Sequence, residues 1–280
     1  METKLNYKRT FLIGLAFLSI CSFWQMYDNI IPLILQNTYH LGETMTGAVM
    51  ALDNVLAIFL LPVFGALSDK VHTKLGRRMP FIVAGTILAV IFMMLLPMID
   101  NAEKARWGTV ESFSNQVIFL AVLFFTLVSM GLYRSPAVAL MPDVTPNHLR
   151  SRANAVINLM GAVGGVYALI MIKVLVGKGE TPDYLPLFAS IAAVMAIAVG
   201  ILVITIRENK LREEVEKAEA ANAGTIEEKA MAEGVEAAGE IEAVGDTGEV
   251  KSFDGKKQTG KTEGTKGMPK EVKRSMYFML

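Results

Sequence analysis

Three ionisable side chains stand out deep inside long apolar runs of this 280-residue chain: Asp28, Asp53 and Arg134. Charges at such depth are costly in lipid and are kept for solute pathways, proton relays or ion pairs. Gln25, Asp28 and Asn29 follow one another at three- and four-residue spacing and so share a helical face, with Trp24 and Tyr27 alongside. Amides, an acid and aromatic rings together suit a sugar, which offers hydroxyl edges and apolar ring faces. A second reading makes Trp24 and Tyr27 interfacial anchors and lets Asp28 reach outward to water, and the residues leave both open. Asp53 lies deeper, ~12 Å from the outer end of its run at 1.5 Å per residue, which makes it a candidate to carry a coupling proton. Arg134 lies ~10 Å from the inner end of its run. In a layer ~30 Å thick the two are then about 8 Å apart in depth, nearly within reach of an arginine side chain if their helices are neighbours. Arg134 has three possible partners: a substrate hydroxyl, an anionic group or an acid in a structural ion pair.

The elements that must position these groups are six apolar runs, 11–35, 45–67, 80–99, 115–141, 153–176 and 184–206, each long enough to cross the hydrocarbon layer with about 20 residues. The expected fold class is therefore an all-α membrane protein of six transmembrane helices. Composition agrees: 52% of residues are hydrophobic and 19% charged, mean hydropathy is +0.42, and the charges crowd the last seventy positions. The first run is too long for the apolar core of a cleaved signal peptide. Lys and Arg near the span ends number twelve on one side and three on the other. By the positive-inside rule this places the N-terminus and the segment after position 206 in the cytoplasm of a cell-membrane protein. Cys21 is the single cysteine, which excludes internal disulfides and cysteine metal sites. His40, His72 and His148 fall in loops without metal-ligand company, and no His, Cys or Ser cluster has catalytic spacing. No cofactor, metal, nucleic acid or enzymatic chemistry is expected.

Between the second and third runs lies a charged hinge containing Gly65, Asp69, Lys70, Gly76, Arg77 and Arg78. Gly65 allows close helix approach, and Asp69 can meet a neighbouring helix N-terminus or pair with Arg77 or Arg78. Contacts of this kind can hold one arrangement of helix bundles and break in another. Plain positive-inside topology would explain the cations, but not the two glycines and the acid. The hinge resembles the signature loop between helices two and three of the major facilitator superfamily. Its longer spacing, with Pro80-Phe81 and Gly85 after it, is similar to the branch of sucrose/proton symporters and glycoside–pentoside–hexuronide cation symporters. A second stretch, Arg134 to Asp143 and then Arg152-Ala153-Asn154-Ala155, resembles that branch's junction between helices four and five.

The resemblance covers about residues 1–206. It implies the N-terminal six-helix bundle of a major facilitator fold, a hinge that stabilises one access state, and sugar uptake by symport through alternating access. It also implies a second six-helix half, without which the cavity would be incomplete. Acids of the sodium-coupled relatives map onto Ala57, Leu61 and Arg134, so the coupling ion implied is the proton. The competing reading is a non-transporting six-helix scaffold or sensor with a partner-binding tail.

Asn154, Asn158, Gly161 and Gly165 recur at helical spacing, which favours packing through small residues, with Asn158 as a further cavity candidate. Beyond 206, residues 207–250 hold five basic and thirteen acidic side chains and 251–274 eight basic and three acidic. With few large apolar residues to offset ordering entropy, 207–274 is expected to be a largely disordered cytoplasmic linker. Its first part, to about Ala221, could extend the sixth helix, helped by Glu213 and Lys217 at i,i+4. Residues 275–280 turn apolar again and are expected to begin a seventh helix.

Overall fold

The computed structural model describes residues 6–71, 73, 75–105, 113–177, 182–217 and 219–220. The chain divides into units 1–227 and 228–280, and the second lies wholly outside the described residues. The expected disorder of the linker beyond 220 and the expected seventh helix at 275–280 therefore also lie outside them. Among the described residues six helices are long and apolar enough to cross a membrane: α1 (Tyr7–Asn37), α2 (Glu43–Lys70), α3 (Met79–Lys104), α4 (Phe113–Asp143), α5 (Arg150–Leu175) and α6 (Leu185–Thr205). A single 3-10 turn, Asn147–Leu149, joins α4 to α5. Helices must form here because a backbone in lipid has no water to bond and satisfies itself within the segment. Interior prolines at 32, 62, 97, 136 and 142 in α1 to α4 are tolerated where neighbouring helices and local adjustments satisfy the backbone groups they free.

Two pairs of helices approach most closely, α1 with α5 and α3 with α4, and each depends on a missing side chain. A Cβ at Gly164 would stand 2.1 Å from the Leu18 carbonyl oxygen, and one at Gly85 would stand 2.6 Å from the Tyr133 backbone nitrogen. The first contact is reinforced where Ser22 Oγ donates to the Gly164 carbonyl at 2.9 Å. Polar side chains also join α1 to α4: Ser19 Oγ and Tyr133 OH are 2.7 Å apart, and Tyr133 OH donates to the Ala16 carbonyl. The buried core is drawn chiefly from α1, α3, α4 and α6. By contrast, α2 buries only Thr46 and Ser68, so most of its surface faces outward. One side of α5 is exposed too, through Leu159, Val163, Val166 and Ile170.

The region after α6 departs from the simple extension expected. Ile206 is extended, with φ −94° and ψ 113°, and a separate helical segment follows at 208–217. Leu211 and Val215 bury its inner face. After the break Glu208 turns inward to the start of α3 rather than outward with its charged neighbours. The i,i+4 ion pair on this segment is Arg212 with Glu216 at 2.9 Å.

Candidate functional site

The face of α1 that carries the polar residues splits in two. Tyr27 is 1% exposed and belongs to the core, while Asp28 and Asn29 are exposed and Gln25 and Trp24 half-buried. Trp24 stands edge-on to both Phe23 and Tyr27, with ring centroids 5.4 Å apart in each case. This aromatic cluster fixes the indole, and it replaces the interfacial-anchor alternative for Tyr27. Trp24 lines an open cleft with Asp53, Leu56, Ala57, Gly131 and Arg134.

The polar groups in and beside this cleft are under-partnered. The Arg134 guanidinium carbon lies 5.4 Å from the Trp24 ring centroid, a cation–π arrangement. No hydrogen bond or ion pair joins Arg134 to another described residue. The expected reach between Arg134 and Asp53 thus ends in a shared cleft, not a direct pair. Asp53 accepts from Asn54 Nδ2 at 3.1 Å. Trp24 Nε1 and Tyr27 OH are buried without a hydrogen-bond partner among the described residues. Asn158 is not among the residues lining this cleft; it lies exposed on α5, one turn before Gly161, which packs against Cys21 of α1.

The hinge is built quite differently. Thr73 and Gly76 exchange backbone hydrogen bonds at 3.3 and 3.2 Å, and Gly76 takes φ +131°, a conformation side chains rarely allow. This tight turn delivers Arg78, 6% exposed, between the ends of α2 and α4. Its Nη2 lies 2.6 Å from Asp69 Oδ1 and its Nε 3.0 Å from Asp143 Oδ2. Its Nη1 donates to Ser68 Oγ at 2.6 Å and to the Gly65 carbonyl at 3.3 Å. Arg77 makes a longer contact with Asp143, 3.6 Å, and Lys70 is exposed. Of the two arginines offered to Asp69 by the sequence, it is Arg78 that pairs with it.

Two members of this cluster escaped the sequence reading. Asp143 closes the stretch that begins at Arg134, yet nothing in its spacing ties it to Arg78. Glu208 is hidden further, among the many acids that follow α6. Its carboxylate accepts from the backbone N–H groups of Arg77 (2.9 Å), Arg78 (3.0 and 3.1 Å) and Met79 (3.1 Å). The helix N-terminus suggested as a partner for Asp69 is therefore already occupied, by Glu208. The one available signal is that Glu208 comes straight after the last span, ahead of the apolar pair Leu211 and Val215.

Comparison with known proteins agrees with this architecture. A sucrose transport protein of Arabidopsis thaliana is 34% identical over 116 residues, 39% of this chain and 22% of the relative. One from Oryza sativa subsp. japonica is 26% identical over 137 residues, 46% of this chain and 27% of the relative. An uncharacterized symporter of Synechocystis is 24% identical over 144 residues, 50% of this chain and 25% of the relative. The chain thus spans about a quarter of the length of the curated relatives it matches. The family model described as Major Facilitator Superfamily matches residues 7–251, and with six apolar helices in one bundle the chain is a multi-pass membrane protein that belongs to that superfamily and resembles its sucrose symporter branch.

Proposed function

We propose that this bundle forms part of a secondary active transporter that takes up a sugar or a related solute by proton symport. One observation carries the reading: Asp53, Arg134 and Trp24 converge on a cleft inside the membrane-spanning region while the charge of Arg134 and the indole N–H lack polar partners among the described residues. Unsatisfied polar groups at such depth are expensive, and a hydroxyl-rich solute seated on the Trp24 ring would satisfy them. Similarity to proteins named as sucrose transporters supports the solute class. Asp53 is the proton-coupling candidate, with Asp28 as a second acid, and Gln25, Asn29 and Tyr27 supply secondary contacts or rigidity. The Asp69–Arg78–Asp143 cluster acts as a latch holding the inner ends of α2, α3 and α4 together in one access state. Both the N-terminus and the segment after α6 face the cytoplasm, and a second six-helix half completes the cavity.

Uptake of labelled sugars into proteoliposomes, with and without an inward proton gradient, tests the reading in a preparation that includes the second half. Gradient-driven accumulation is expected in the native protein and should disappear in Asp53→Asn. Accumulation that survives the substitution removes Asp53 from the mechanism, and no gradient dependence in the native protein removes proton symport itself.

A further inference from the structure

Glu208 is 1% exposed, and no lysine or arginine side chain pairs with it among the described residues. Its two oxygens take the backbone N–H groups that open α3. An anion at that point complements the positive end of the helix and fixes the backbone of Arg78, so it also fixes where the Arg78 side chain begins. That side chain in turn holds Asp69, Asp143 and Ser68. The fit is close on the hinge side as well, since a Cβ on Gly76 would run into the Glu208 carboxylate at 2.1 Å. Glu208 is itself held by the segment it begins: Leu211 and Val215 bury that segment's apolar side. Asn209 Nδ2 donates to the Thr73 carbonyl at 3.1 Å, and Glu214 pairs with Arg9 at 3.1 Å.

We propose that Glu208 is a positioning residue of the inner latch, and that segment 208–217 is a strap through which the linker acts on that latch. The proposal rests on the transporter reading given above. With the strap seated, Arg78 is aimed at both aspartates and the inner ends of α2 and α4 stay joined. With the strap drawn off, α3 loses its anion, the Arg78 backbone is freed and the latch loosens. Anything that binds or pulls the chain beyond 217 would thereby shift the balance of access states without touching the solute cleft.

The sole cysteine, Cys21, is half-buried on α1, three residues before the cleft residue Trp24, so it reports solvent entry near the cleft without any engineered label. A water-soluble maleimide is added to inside-out vesicles bearing the full chain, and the rate of Cys21 modification is measured. Glu208→Gln should raise that rate roughly tenfold, the size expected when a hydrogen bond to a charged group is lost. Asp69→Asn should raise it comparably, and the double variant should be no faster than the faster single one, because the two residues act through one latch. Glu208→Asp should stay near the native rate. A merely structural Glu208 would lower the thermal unfolding midpoint and leave labelling below that midpoint unchanged. Native-rate labelling in Glu208→Gln, or effects that multiply in the double variant, would overturn the proposal. If Asp69→Asn is itself inert, the latch reading of the hinge falls and the proposal falls with it.

Discussion

The inner ends of the helices and the mid-membrane cleft use the same side chains, aspartate and arginine, to opposite effect. At the inner end Arg78 is almost fully enclosed, and two carboxylates, a hydroxyl and a carbonyl surround its guanidinium. In the cleft Arg134 has an aromatic face beside it and no acid in hydrogen-bond range. A buried charge with its partners in place holds structure together. Removing one partner leaves the rest uncompensated, which is why such pairs break at a high cost. A charge left without a polar partner contributes little to the fold and is available for a ligand. The contrast separates residues that hold the bundle from residues that await something it carries.

The sharpest way to break this comparison is to delete both arginines in turn. Arg78→Ala should destabilise the bundle by about 3 kcal/mol, because Asp69 and Asp143 lose their shared cation; thermal unfolding in detergent gives the answer, and a change under ~1 kcal/mol would show that the inner cluster is not the structural one. Gly76→Ala should come next, costing about 1–3 kcal/mol through its strained backbone region together with the collision with Glu208, read by the same melts. Asp69→Ala removes one half-exposed partner and should cost less, about 0.5–1 kcal/mol, leaving membrane insertion intact while transport is impaired; normal transport would reduce the hinge to a topology signal. Arg134→Gln should sit at the bottom of the series, costing no stability because an unpaired charge at that depth is itself a burden on the fold, while abolishing solute uptake. A large loss of stability there would mean that Arg134 has a structural partner and that the two regions are alike after all.

Much of this was legible beforehand, for definite reasons. A span must be apolar over a length set by the bilayer, so Asp28, Asp53 and Arg134 stood out as exceptions before any helix was placed. The hinge was legible because Gly76 and the adjacent arginines are a local pattern, and the turn at φ +131° explains the glycine. Asn158 was harder to read. Its helical spacing with Gly161 and Gly165 marks a face, but not which neighbour that face meets, and only the structure sets those glycines against Cys21 and Gln25 of α1. The helix expected to run on from α6 was another such case: the charge pattern after position 206 suits a helix, yet Ile206 breaks it.

What the sequence determined by itself was the number and placement of the apolar spans, the excess of positive charge on one side and the residues available for chemistry. These follow from composition and local spacing, which water and lipid read directly. The tertiary structure decided which of those residues meet. Arg78 takes Asp143 from 65 positions away, and Glu208 reaches back 130 positions to seal the start of α3. Neither partner can be named from local spacing, because each contact exists only once the helices stand side by side with their inner ends at one point.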